Sequence, residues 1–169
     1  MKNKAGHLLS ILIVLAFLII TGGKLSGQQR VNISAGAGYP ELLNIGVRFQ
    51  IEQSQLGMSI GTWPSSDKWL FDWKNIVSLS GDYYYHFGGS SDFSDLRPWY
   101  GRIGLNFMKI IFENEQNTLL SSYFRVGRDF YFNRVSGFSL DAGVSFCIIN
   151  EPGITPVLPA PGFGFFYRF

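Results

Sequence analysis

The sequence predicts an all-β protein, an eight-stranded antiparallel transmembrane up-and-down β-barrel, and three observations carry that expectation. Apolar and polar residues alternate with period two through eight segments, a pattern that strands produce and amphipathic helices do not. The chain holds 20 glycines and 17% aromatic residues but only 15% charged ones, below the roughly 25% of a water-exposed domain. Its last seven residues, from Phe163 to Phe169, place an aromatic side chain at every second position.

The first 27 residues read as a secretory signal peptide. Lys2 and Lys4 precede an apolar run from Leu8 to Ile20, interrupted by Ser10 alone, and small and polar residues follow through Gly27. That three-part build is the export signal, and the run is short of the about 20 residues a spanning helix needs. No cysteine stands directly after the run, which excludes lipoprotein processing, and the single Cys147 cannot form an intramolecular disulfide. The expected division is therefore 1–27 as signal peptide and 28–169 as one barrel domain. The leader takes Lys2, Lys4 and Lys24 with it and no acid, which leaves 11 of the 14 basic residues against 12 acidic ones. So near-neutral a chain gives no electrostatic footprint for nucleic acid.

The strands follow in order. The first alternates Val31, Ile33, Ala35, Ala37 and Tyr39 with Asn32, Ser34, Gly36 and Gly38; the second sets Leu43, Ile45, Val47, Phe49 and Ile51 against Asn44, Gly46, Arg48, Gln50 and Glu52. The third runs Leu56, Met58, Ile60, Thr62 against Gly57, Ser59, Gly61, Trp63, and the fourth Val77, Leu79, Gly81, Tyr83, Tyr85, Phe87 against Ser78, Ser80, Asp82, Tyr84, His86. In the fifth, Trp99, Ile103, Leu105 and Phe107 oppose Tyr100, Arg102, Gly104 and Asn106. The sixth has Leu120, Phe124 and Val126 opposite Ser121, Tyr123 and Arg125; continued in register to Phe132, it turns Arg128 outward, which requires a position near a membrane interface or a bulge. The seventh sets Phe138, Leu140, Ala142, Val144, Phe146 and Ile148 against Ser139, Asp141, Gly143, Ser145 and Cys147, and the terminal segment is the eighth.

Ten glycines fall on the polar face, at 36, 38, 46, 57, 61, 104, 127, 143, 162 and 164. Small residues belong where space is short, and an eight-stranded barrel has an interior only wide enough for side chains. The polar face is therefore expected inside and the apolar face in lipid. The inward set then includes a charge cluster of Arg48, Glu52, Asp82, Arg102, Arg125, Asp141 and Arg168. In a narrow lumen such charges must pair, which predicts a lumen plugged by ion pairs rather than a gated polar path.

The C-terminal residues resemble the recognition signal of bacterial outer-membrane proteins, in which a glycine precedes two aromatics at fixed spacing, here Gly164, Tyr167 and Phe169; Phe163 stands where that pattern prefers a polar residue. By its pattern over the whole mature chain, the sequence resembles the OmpA/OmpX-like family of small outer-membrane barrels. The resemblance implies a bacterial outer-membrane location, the barrel-assembly machinery as a partner in biogenesis, lipid and lipopolysaccharide as surroundings, a monomer, no cofactor and no metal, and a chain that ends at the barrel. With both termini periplasmic, residues 39–43, 63–75, 112–118 and 149–161 become extracellular loops, and 52–55, 87–98 and 132–137 periplasmic links. The 87–98 link is longer than the short turns such barrels use. Trp63, Trp69, Phe71 and Trp73 concentrate in one extracellular loop, either an interfacial aromatic belt or a contact surface for an unknown partner.

Three function classes compete. The first is a non-enzymatic structural, surface-interaction or envelope-accessory barrel. The second is a lipid-A-modifying enzyme, for which His86 is the one mature histidine, with Asp82 and Ser90 nearby in sequence. The third is a soluble periplasmic lipid-binding barrel, for which Gly61-Thr62-Trp63 offers a short Gly-x-Trp match. The histidine sits at the periplasmic end by this topology, away from outer-leaflet substrates, so the first class is preferred.

Overall fold

The structure, a computed structural model, describes residues 31–63, 75–111, 116–149 and 156–169. The expected leader and Trp69, Phe71 and Trp73 lie outside the described residues.

Nine strands form one closed antiparallel sheet: β1 (Val31–Gly38), β2 (Leu42–Ile51), β3 (Ser54–Trp63), β4 (Asn75–Gly88), β5 (Trp99–Ile111), β6 (Gln116–Tyr131), β7 (Ser136–Ile149), β8 (Val157–Pro159) and β9 (Gly162–Arg168). From β1 to β8 each strand pairs with its sequence neighbour, and β9 lies between β7 and β1 and closes the ring. Closing the ring through β9 leaves the sheet without an open end, the one way a sheet can satisfy its backbone in lipid. Among the described residues there is no helix.

β8 and β9 are a single wall strand. Val144 pairs with Pro159 and Asp141 with Gly162, so the register carries through unbroken, and Ala160 donates its N–H to the Gly143 carbonyl at 2.9 Å. Proline at 161 has no N–H to give, and it interrupts the ladder where it would have donated to Tyr39. The eight-stranded count thus holds. The 149–161 loop, however, does not extend to 161, because the wall resumes at Val157.

β6 also begins earlier than the sequence suggested, at Gln116. It continues to Tyr131 without a bulge near Arg128, which pairs with Trp99 on one side and Leu140 on the other. The one register shift in that ladder falls between Leu120 and Ser121. Arg128 accordingly faces outward from a regular strand.

Side chains divide as the alternation requires. Ile45, Ile103, Phe124 and Ile148 are more than half exposed on the outer wall, while Asn106, Ser121, Ser145 and Arg125 are buried inside. An apolar wall on this scale far exceeds the few hundred Å² that soluble monomers expose.

Candidate functional site

The lumen is filled in layers, each built by inward positions of facing strands. At the end opposite the termini, Ile76 on β4, Met108 on β5 and Leu119 on β6 form a small apolar cluster against which Tyr39, Leu42, Ile110 and Cys147 pack. Tyr39 and Leu42 reach it because the link after β1 folds into the barrel instead of standing out as a surface loop. Leu42 has a left-handed backbone (φ 66°), uncommon for a branched side chain, and this reversal brings the chain back into β2. Pro40 and Glu41 are consequently buried.

Glu41 is one of two buried lumen carboxylates, with Asp129, that the sequence did not single out. Its carboxylate bridges two arginines, meeting Arg102 Nη2 at 2.5 Å and also Arg125 Nη2. Arg102 grips Asp82 with two parallel bonds, Nε to Oδ1 and Nη2 to Oδ2, each 2.9 Å. That is the bidentate geometry a guanidinium favours. Asp141 accepts from Arg125 Nη1 and from the Tyr100 hydroxyl, both at 3.0 Å, and lies 3.5 Å from Arg102 Nη1. The Tyr123 hydroxyl donates to Asp82. Arg125 Nη2 also donates to the Tyr39 carbonyl, the acceptor that Pro161 cannot serve. A proline in the wall and an arginine in the lumen are thus two halves of one backbone account.

Glycines make the room. A Cβ on Gly104 would lie 2.5 Å from both Asp82 Oδ1 and the Tyr123 hydroxyl and collide with Tyr123 Cζ. One on Gly61 would collide with the Glu41 carbonyl and stand 2.6 Å from Ser78 Oγ, which itself donates to that carbonyl at 2.8 Å. Gly61→Ala should therefore push the inserted link off its seat and destabilise the barrel by about 1–3 kcal/mol. Urea unfolding of the refolded protein would check this, and an unchanged midpoint would show that the link is not seated there.

Toward the termini the lumen continues with Arg48, whose guanidinium lies 4.7 Å over the Tyr84 ring and makes no ion pair among the described residues. Beyond it Arg168 donates to Asn32 and to Ser94 Oγ (2.8 Å), and Asp129 accepts from Tyr131 at 3.4 Å. A cavity runs along the glycine and serine wall of β1, β2, β3 and β9 between Arg48 and Arg125; about 30 Å³ of it is open to the centre of a water molecule, room for about two waters.

The long 87–98 link caps this end. Ser91 and Ser94 hydroxyls accept from Phe93 and Leu96 N–H, local turns of the kind these side chains favour. Gln53 ties the link down through the Asp95 carbonyl (2.7 Å) and the Arg97 N–H (3.0 Å), and Leu96 and Pro98 are buried. Its length serves as a lid over the lumen, which a two-residue turn could not provide.

Arg48, Asp82, Arg102, Arg125, Asp141 and Arg168 all line the lumen, but Glu52 does not. It sits exposed in the tight turn between β2 and β3 with a left-handed backbone (φ 52°), so the alternation ends one residue before it. Glu41 and Asp129 take its place, giving four arginines and four carboxylates inside among the described residues. His86 is buried, donating through Nδ1 to the Arg97 carbonyl at 2.7 Å with Gln55 at Nε2. Asp82 is held by Arg102 and Tyr123, and among the described residues His86 makes no hydrogen bond to Asp82 or Ser90. At the rim, Trp63 is half exposed. Gly164, Tyr167 and Phe169 lie on β9 and just past it; the two aromatics point outward with rings 5.1 Å apart, and the Phe169 N–H closes on the Val31 carbonyl at 2.9 Å.

No family model matches the chain, and no curated protein does. Among solved structures, it is similar to the N-terminal β-barrel domain of Pseudomonas aeruginosa OprF, with a TM-score of 0.58 and 18% identity over 85% of this chain and all of that one. It is also matched to Neisserial surface protein A, with a TM-score of 0.49 and 9% identity over 83% of this chain and 96% of that one. Layered lumen, closed ring and structural likeness agree: the chain has the fold of the small eight-stranded outer-membrane β-barrels.

Proposed function

We propose that this protein is a bacterial outer-membrane barrel with a closed lumen, acting without catalysis as a structural, surface-interaction or envelope-accessory component. One observation carries the reading: along β5 and β6 the outward face, Ser122 apart, carries no polar side chain between Trp99 and Arg128 at one end and Lys109 and Thr118 at the other. These limits are ten residue steps apart along β5, and in strands tilted by about 35–45° that makes a band about 25 Å tall, the height of an outer-membrane barrel's apolar belt. A soluble lipid-binding barrel requires the opposite arrangement, with the apolar set inside. Fractionation tests the reading: recovery in the outer membrane with heat-modifiable gel migration is expected, and recovery as a soluble periplasmic protein would overturn it. Lipid A mass spectra with and without the gene should be identical; a difference would favour the enzyme class.

The proposal extends to sidedness and assembly, with residues 1–27 serving as a cleaved export leader. Placing both termini in the periplasm makes the 149–161 region extracellular. In a Cys147→Ser background, cysteine at Thr155 should react with an impermeant thiol reagent on intact cells, and cysteine at Ser136 only after the outer membrane is opened. The reverse pattern would invert the topology. Tyr167 and Phe169 face lipid rather than the lumen, so as an assembly signal with Gly164 they should act before folding is complete. Changing both to Ala should lower outer-membrane levels in cells while leaving refolding of the purified chain intact; normal levels in cells would remove the signal from the account.

A further inference from the structure

We propose that Arg128, with Trp99 and Phe130, forms a binding site on the outer wall for the phosphate of an anionic phospholipid in the leaflet at the termini end. The inference rests on the membrane reading above. Arg128 and Lys109 are the only charged residues on the outward face of the strands, among the described residues, and no carboxylate stands there. Lys109 belongs to the opposite rim, opposite Thr118 on β6.

Arg128 is an exposed side chain on a regular strand, not a loop cation free to swing into water. Its guanidinium carbon lies 5.5 Å from the Trp99 ring centre and 5.1 Å from that of Phe130, and Phe130 is itself stacked on Phe138 at 4.8 Å and 9°. Cation–π contact of this kind holds the charge against the wall but satisfies none of the five N–H donors, which have no protein acceptor among the described residues. Donors left bare at the edge of hydrocarbon are costly. A phosphodiester offers paired anionic oxygens that match the guanidinium fork, and its acyl chains would run along the aromatic surface of Phe130, Phe138, Phe163 and Phe165, whose rings contact in series at 4.8–6.5 Å. A second copy of the chain packed through this wall would bring no carboxylate to Arg128, so lipid is the occupant the chemistry favours.

The test uses the full mature chain refolded into nanodiscs of phosphatidylcholine and phosphatidylglycerol with identical acyl chains, read by native mass spectrometry. Wild type should retain phosphatidylglycerol over phosphatidylcholine by about fivefold, the preference expected of one interfacial arginine. Arg128→Gln should bring the ratio near one, and Arg128→Lys should keep part of it. A ratio near one in the wild type, or an unchanged ratio in Arg128→Gln, would overturn the site; if the glutamine variant does not fold, the wild-type ratio decides alone. Failure of the wild type to insert would overturn the membrane reading instead.

Discussion

Arg102→Met should be among the most destabilising single changes in the barrel, costing about 3–5 kcal/mol, because it strands buried carboxylates whose partner is gone. Three acids converge on that guanidinium: Asp82 through two bonds at 2.9 Å, Glu41 at 2.5 Å and Asp141 at 3.5 Å. Arg125 compensates only in part, since it touches Glu41 and Asp141 but not Asp82. Arg48→Met should cost much less, because Arg48 makes no ion pair among the described residues and loses mainly its contact with the Tyr84 ring. From sequence these two arginines are equivalent inward charges; the structure separates them. Urea titration of the refolded protein, followed by gel migration of unheated samples, measures both. Equal midpoint shifts for the two variants would dissolve the distinction, and a shift for Arg102→Met below about 1 kcal/mol would show that water reaches the stranded acids.

The wall was legible because one rule governs it. A strand that separates lipid from a packed interior must alternate, and nothing in tertiary structure overrides a period of two. Glycine placement was legible for a related reason: Gly61 and Gly104 lie where the Glu41 backbone and the Tyr123 ring need the space. Alternation fails as a guide where the chain leaves the wall. Glu52 follows the inward parity of β2 but belongs to the turn, whereas Glu41 has no strand parity at all and reaches the lumen because its link folds inward. Asp129 depended on whether β6 stayed in register past Val126, which the pairing of Arg128 with Trp99 settles. The signal available beforehand was the charge balance. Four inward arginines against three acids leave one cation uncompensated, and an interior that must be neutral asks for a further carboxylate from nearby links.

Closure of the lumen predicts the electrical behaviour of the purified barrel. In planar bilayers it should show no steady porin-like conductance, for three barriers lie in series. Ile76, Met108 and Leu119, with Tyr39 and Leu42 packed against them, form a mainly apolar layer at one end. The middle is crossed by Glu41, Asp82 and Asp141 bound to Arg102 and Arg125, with a cavity beside them that has room for about two waters. The other end lies under the 87–98 lid, anchored by Gln53 and by Arg168 on Ser94. An ion would have to part a bidentate arginine–carboxylate pair and pass an apolar layer, and each step in a low-dielectric interior is expensive. Glu41→Gln should weaken the middle barrier and the seating of the inserted link together, yet leave the apolar layer in place, so at most brief openings are expected. Reproducible open channels in the wild type, with conductance altered by Arg48→Met while stability is unchanged, would establish a polar path and overturn the plugged lumen.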